Sequence, residues 1–141
     1  MAEIGGFEGN VPIPQLVRWD ELVANLDWTG LHRDTEWGFH RGRAPSVHLR
    51  NARATFVFLP FGQASPPHHK NGDCVIIQLQ GTTEFTLAGE DHRLAPHDCL
   101  VIPADEVYSY RNCGLEDSIF VGLIALASTW PPTNTYVDES S

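Results

Sequence analysis

Basic residues are scarce in this 141-residue chain: nine Lys and Arg stand against 18 Asp and Glu, giving a formal charge of −9. The few cations are scattered, so no stripe could neutralise a run of phosphates, and nucleic acid is excluded as an expected partner. Cysteine is scarce as well. Cys74, Cys99 and Cys113 are odd in number and lack CxxC spacing, which argues for reduced thiols in a cytoplasmic protein rather than a disulfide framework. No apolar run approaches the length of a membrane span, and the opening MAEIGGFEGN has neither a basic n-region nor an apolar h-region, so neither membrane insertion nor a signal sequence is expected. Internal repeats, linkers and low-complexity blocks are also missing. The length fits one domain able to bury a core without staples.

What is present changes period once. In QLVRWDELVANL, residues Leu16, Trp19, Leu22, Val23 and Leu26 recur at roughly helical spacing, and Asp20 is placed to cap a short helix from Glu21. Beyond it, ATFVFLPFG, DCVIIQLQG, TEFTLAG, HRLAPHDCLVIPADE, VYSYRN and SIFVGLIAL are short, β-branched and aromatic, and Gly, Pro, Asn and Asp separate them. Such spacing predicts an all-β sandwich or barrel. Gly89 in LAGED marks a hairpin tip, and Pro103 with Asp105 marks another turn. The expected organisation is an N-terminal arm with a short helix over 1–27, a β-barrel over 28–128 and a tail over 129–141. Both polar ends, MAEIGGFEGN and PPTNTYVDESS, are expected to be extended arms or frayed tails.

Two spaced constellations follow one another. Gly62, five residues, His68, one residue, Lys70, three residues, Cys74, six residues and Gly81 form the first. His97, five residues, Pro103, one residue, Asp105, two residues, Tyr108, three residues and Asn112 form the second, fifteen residues further on. The first resembles the cupin motif G(X)5HXH(X)3–4E(X)6G and the second resembles its partner G(X)5PXG(X)2H(X)3N. The chain is thus similar to a single-domain cupin, and the resemblance implies a jelly-roll β-barrel with the short helix ahead of it. It also implies a homodimer, as in many small cupins.

In metal-binding cupins the ligands are the two histidines and the glutamate of the first motif and the histidine of the second. Those positions hold His68, Lys70, Cys74 and Tyr108, so one family ligand of four is kept. An ammonium has no lone pair to give, and Cys and Tyr seldom complete such an oxygen and nitrogen site. No metal or other cofactor is therefore expected. The alternative is a divalent transition metal such as Fe, Mn, Ni or Zn held by an unusual set of His68, His69 and Cys74, although a strand that presents His69 to the pocket turns His68 away.

Strand parity puts His68 with Lys70, Cys74 with Ile76 and Gln78, and Tyr108 with Tyr110 on shared faces, and the resemblance implies that these faces point into the barrel. His68 is the expected general base, Tyr108 a proton donor or oxyanion partner, and Lys70 an electrostatic clamp or amine nucleophile. Cys74, Ile76, Gln78, Tyr110 and Phe58 make up the expected substrate-binding set, with Cys74 also suiting a packing role. The run EWGFHRGRAPSVHLRN carries Trp37, Phe39, His40, Arg41, Arg43, His48 and Arg50, with Arg53 just beyond it; these could recognise a flat or anionic substrate, or form a solvated covering strand. His32, His92 and His97 read as surface residues. Val75, Ile77 and Leu79 alternate with the pocket set and should pack beneath the sheet or against a partner.

Fold alone does not give function. A base, an acid and a cation without a metal triad suit metal-independent acid/base chemistry on a small molecule: isomerisation, dehydration or elimination, or cyclisation. The alternatives are a metal-dependent oxygenase with a non-standard ligand set and a non-catalytic ligand-binding or sensory cupin.

Overall fold

The computed structural model describes residues 3–4, 7–8, 11–12, 16, 18–20, 32–34, 39–41, 46–49, 52–125, 127–129 and 132–137. Two sheets face each other. The first runs in the order β1 (Glu3–Ile4), β6 (Ser46–His48), β7 (Ala52–Leu59), β14 (Ser118–Ala125), β9 (Asp73–Gln80) and β12 (Cys99–Ile102). The second runs β11 (Glu90–Leu94), β10 (Thr83–Leu87), β13 (Tyr108–Asn112), β8 (His68–Lys70) and β15 (Asn134–Tyr136). Neighbouring strands pair antiparallel except β1 with β6. Two short ribbons, β2 (Phe7–Glu8) with β3 (Val11–Pro12) and β4 (His32–Asp34) with β5 (Phe39–Arg41), complete the described strands. Two facing sheets whose consecutive strands cross between them are the jelly roll that the sequence predicts.

Alternation writes the core. Along β10 and β13 every second residue is buried, because one face of each strand meets the opposite sheet. Phe85, Leu87 and Tyr110 project from the second sheet toward Val57, Leu59, Ile76, Ile102 and Phe120 of the first. The rings of Phe85, Tyr110 and Phe120 meet pairwise at 5.2–5.5 Å between centroids, in edge-on or tilted contacts that suit the aromatic quadrupole. Truncating one such buried ring to Ala typically costs about 3–5 kcal/mol.

Three local features fix the frame. The hairpin between β10 and β11 turns on Ala88 and Gly89, both left-handed (φ 52° and 76°), as a two-residue type I′ turn requires. At the end of the second motif, Asn112 donates through Nδ2 to the carbonyls of Leu59 and Glu116, and its Oδ1 accepts from the Gly114 amide at 3.0 Å. It holds the loop before β14 against the end of β7, which makes this Asn a fastener rather than a site residue. Asn71 does the same for the C-terminal segment: its Oδ1 accepts from the Thr133 amide at 2.9 Å, and its Nδ2 donates to Thr129 Oγ1 at 2.9 Å. The C-terminal segment consequently returns to the barrel and adds β15 beside β8.

The helix expected from Glu21 lies outside the described residues; Trp19 and Asp20 just ahead of it are helical. Trp19 stacks on Phe58 and meets Phe56 edge-on, each at 5.7 Å, so Trp19 covers this part of the outer face of β7. Among the described residues no helix is long and apolar enough to cross a membrane.

Candidate active site

The sequence around β8 decides where its side chains go. Pro66 and Pro67 force an extended approach, and the Val137 amide closes on the Pro67 carbonyl at 2.9 Å. His68 then sits directly opposite Tyr108 in the β8–β13 ladder and opposite Tyr136 in the β8–β15 ladder. Two residues along, Lys70 faces Asn134. Because residues two apart share a face, His68 and Lys70 both turn inward.

These groups surround a cavity of about 40 Å³ between the sheets. Its polar lining is His68, Lys70, Tyr108, Tyr110, Asn134 and Thr55, and its apolar wall is Val57, Ile76, Phe120 and Gly122. The space is small. It holds a few water molecules or the end of a compact ligand, against on the order of 300–1,000 Å³ for a drug-sized pocket. Glycine at 122 helps to keep even that space open, since a Cβ there would lie 3.4 Å from Ile76 Cδ1.

His68 is the most defined group. It is buried, and its Nδ1 lies 2.8 Å from the carbonyl oxygen of Pro66. A carbonyl only accepts, so Nδ1 carries the proton of the neutral ring and Nε2 keeps its lone pair. The imidazole ring lies 4.4 Å from the Tyr108 ring and 5.7 Å from the Tyr110 ring, centroid to centroid. A buried imidazole held in one neutral tautomer is the state from which a general base acts.

Five of the eight residues expected at the site line this cavity: His68, Lys70, Tyr108, Tyr110 and Ile76. The other three lie elsewhere. Cys74 is buried in the apolar core beside the cavity; burial pushes its thiol up, and the nearby Lys70 charge opposes this to a smaller extent. Gln78 faces inward but donates through Nε2 to the carbonyls of Gln80 and Gly81, so it ties the strand end. Phe58 turns to the opposite face of β7 from Val57 and stacks on Trp19. Sequence reading did not single out Asn134, Thr55, Phe120 or Gly122. A polar tail and a glycine within an apolar strand offer no signal for a site until the register is known.

His69 lies on the outer side of β8, its Nδ1 3.9 Å from Asp105 Oδ1, so it does not join His68 and Cys74. Among the described residues no group of three or more His, Cys, Asp or Glu comes together as a metal site. The donor chemistry agrees. An ammonium at Lys70 and a thiol that burial keeps protonated at Cys74 do not fit a cation that elsewhere in the fold family meets imidazoles and a carboxylate. Of the run EWGFHRGRAPSVHLRN, Trp37, Arg43 and Arg50 lie outside the described residues, whereas Phe39, His40 and Arg41 fall on β5 and His48 on β6. A larger open depression of about 440 Å³ lies between the edges of β11 and β12, lined by Asp91, His92, Arg93, Asp98 and Cys99 among others. It contains no residue of the His68 cluster.

Comparison with known proteins agrees with this architecture. Residues 55–124 match the cupin domain. No curated protein matches the sequence. Among solved structures, the DMSP lyase DddQ from Ruegeria pomeroyi DSS-3 superposes with a TM-score of 0.59 at 17% identity, over 76% of this chain and 57% of the lyase. KdgF from Halomonas sp. superposes with a TM-score of 0.54 at 28% identity, over 66% of this chain and 84% of KdgF. A salicylate 1,2-dioxygenase from Pseudaminobacter salicylatoxidans gives a TM-score of 0.60 at 12% identity, over 69% of this chain and 32% of the dioxygenase. A lyase and a dioxygenase sharing one fold at such identities leave the chemistry to the site. The match over residues 55–124 and the two facing sheets together show a small cupin-type jelly-roll domain.

Proposed function

We propose that this cavity performs metal-independent acid/base chemistry on a small molecule, of the isomerisation, elimination or cyclisation type. One observation carries the reading: the Pro66 carbonyl holds the Nδ1 proton of a buried His68 at 2.8 Å, which leaves Nε2 as a base. Nε2 takes a proton from a carbon next to a carbonyl or carboxylate and becomes imidazolium, while the C–H electron pair moves onto the acceptor. The Lys70 ammonium stabilises that negative charge in a space with little water, where the contact is stronger than in bulk solvent. Returning the proton to a different carbon gives isomerisation. Expelling a β-substituent, with Tyr108 protonating the leaving atom, gives elimination. The DMSP lyase among the fold relatives is compatible with the second course. The same reading includes a cytoplasmic homodimer and no cofactor.

The test is a pH–rate profile. His68→Ala is expected to remove the limb that reports the base, with circular dichroism showing the fold retained. An unchanged limb in a folded His68→Ala protein moves the chemistry elsewhere.

A further inference from the structure

The closed cavity does not hold a whole substrate for the proposed reaction. A space of about 40 Å³ takes a few water molecules, whereas a carbon acid with its carbonyl or carboxylate and a leaving group is larger. One wall must yield, and the strand pairing shows which yields most readily. Thr55 and Val57 lie on β7, Phe120 and Gly122 on β14 and Ile76 on β9, and each of these strands is paired on both sides within the first sheet. Tyr108 and Tyr110 lie on β13, which pairs with β10 along five residues. His68 and Lys70 lie on β8, which is held at Tyr108 and by the Asp105 amide donating to the Lys70 carbonyl at 2.7 Å. Asn134 alone comes from an edge strand, β15, which pairs with β8 over three residues. Of the ten lining residues it is also the only exposed one, and Thr133 and Thr135 beside it are exposed too. Segments with few buried groups and exposed backbone bonds are the ones that open locally.

From this we infer that β15 is a strap over the cavity, that it leaves β8 to admit the substrate, and that Asn71 is its latch. Asn71 Oδ1 accepts from the Thr133 amide at 2.9 Å, and Nδ2 donates to Thr129 Oγ1 at 2.9 Å and to the Thr129 carbonyl and Ser128 Oγ at 3.3 Å each. At the other end of the strap the Val137 amide donates to the Pro67 carbonyl at 2.9 Å. The bonds of Asn71 lie at the surface, where water replaces each of them at a small net loss. The strap is therefore held but releasable. Its root is firmer: a Cβ on Gly72 would lie 2.7 Å from the Ala125 carbonyl oxygen and 3.1 Å from Ala127 Cα, so the chain leaving β14 is packed against backbone and the moving part begins beyond it.

The inference rests on the reading of the cavity as a reaction site, yet opening is measured without turnover. Val57 borders the cavity and is 8% exposed, so Val57→Cys places a thiol in the lining as a reporter of access. The full chain with this substitution is treated with methyl methanethiosulfonate, and peptide mass mapping follows position 57 and Cys99 separately. Adding Asn71→Ala is expected to speed labelling at position 57 by about tenfold or more, as the loss of several weak surface bonds implies, with Cys99 unchanged. Hydrogen exchange at Thr133 and Val137 is expected to rise with it while the amides of β13 and β14 keep their protection. Unchanged labelling in a folded Asn71→Ala protein, or in Asn71→Ser if the first variant does not fold, overturns the inference. Labelling at position 57 as fast as at exposed Cys99 before Asn71 is altered also overturns it, because the cavity would then be open with the strap in place. So does an acceleration matched by an equal fall in stability to urea, with β13 and β14 exchanging in step, since the whole domain would then be opening. If Val57→Cys does not fold, Cys74, buried beside the cavity, is the reporter in the otherwise unaltered chain. Strap opening together with an unchanged pH–rate limb in His68→Ala would remove the acid/base reading and leave this inference standing. A limb that needs His68, with labelling indifferent to Asn71, would do the reverse.

Discussion

The ring of His68 lies 4.4 Å, centroid to centroid, from that of Tyr108, its direct partner across the β8–β13 ladder. Both residues are buried, at 3% exposure each, and both border the same small cavity as Lys70. Register, not loop conformation, sets this geometry. It therefore persists as long as the sheet does.

Substitutions that keep volume and remove function test the assignment of roles. Lys70→Met and Tyr108→Phe are each expected to lower turnover about a hundredfold or more, because losing one preorganised donor typically costs about 2.7–4 kcal/mol of transition-state stabilisation. The fold should be retained, since neither change opens a cavity. Steady-state kinetics with circular dichroism as the control decides the matter. Near-normal turnover in both variants would remove them from the mechanism.

Metal content tests the donor argument directly. Purified without a metal-binding tag, the protein is expected to carry well below one equivalent of Fe, Mn, Ni or Zn, measured by elemental mass spectrometry. Only His68 among the four family ligand positions offers the usual donor, and the buried Cys74 stays a thiol. A full equivalent that disappears in His68→Ala would show that Lys70, Cys74 or Tyr108 ligates after all.

The parts of this fold that could be read in the sequence are those where the backbone itself imposes a residue. Gly62 and Gly81 open and close the first motif, and both are left-handed, at φ 79° and 72°. The alternation of β9, β10 and β13 likewise follows from burial on one face. Depth and partner choice are different. Gln78 shares a face with Ile76, but it lies toward the strand end and spends its amide on Gln80 and Gly81. Phe58 follows strand parity to the outer face, where Trp19, far away in sequence, receives it. Strand β15 could not be anticipated at all. PPTNTYVDESS is polar, and its pairing with β8 depends on the fastening at Asn71.

The cysteines should separate by reactivity and by pH. Cys99 is exposed, Cys113 intermediate and Cys74 buried, so a thiol reagent at neutral pH is expected to modify Cys99 first and Cys74 last. Burial also raises the Cys74 thiol above its ordinary value of 9.0. Below that value both folded and unfolded chains hold the proton, and the thiol does not alter stability. As pH rises above it, the unfolded chain loses the proton more readily, so stability falls. Denaturant unfolding at pH 8 and pH 10 should show a loss in the wild type that is smaller in Cys74→Val. Equal losses in the two proteins would mean that Cys74 is not held in a dry environment.

The second motif carries residues where glycine would be easier. His97 and Asp105 stand at positions that the cupin pattern gives to glycine, and both keep a left-handed backbone, at φ 79° and 67°. Aspartate tolerates this conformation better than most residues do, whereas histidine has less to gain there. His97 is exposed, and its structural contact is made by its backbone: the amide donates to the Gln78 carbonyl at 2.8 Å, a bond that any residue but proline can make. A left-handed non-glycine residue costs roughly 1–2 kcal/mol, and the extra freedom of glycine in the unfolded chain takes back about 0.4–1 kcal/mol. His97→Gly is therefore expected to stabilise the protein by about 0.5–1 kcal/mol. Gly81→Ala is the opposite case. It combines φ 72° with a Cβ that would lie 2.8 Å from the Asp117 carbonyl oxygen, and backbone on both sides cannot yield cheaply, so a loss of about 2 kcal/mol or more is expected. Urea unfolding of both variants measures the two effects with opposite sign. A destabilised His97→Gly would show that the imidazole contributes a contact worth more than the backbone cost it imposes.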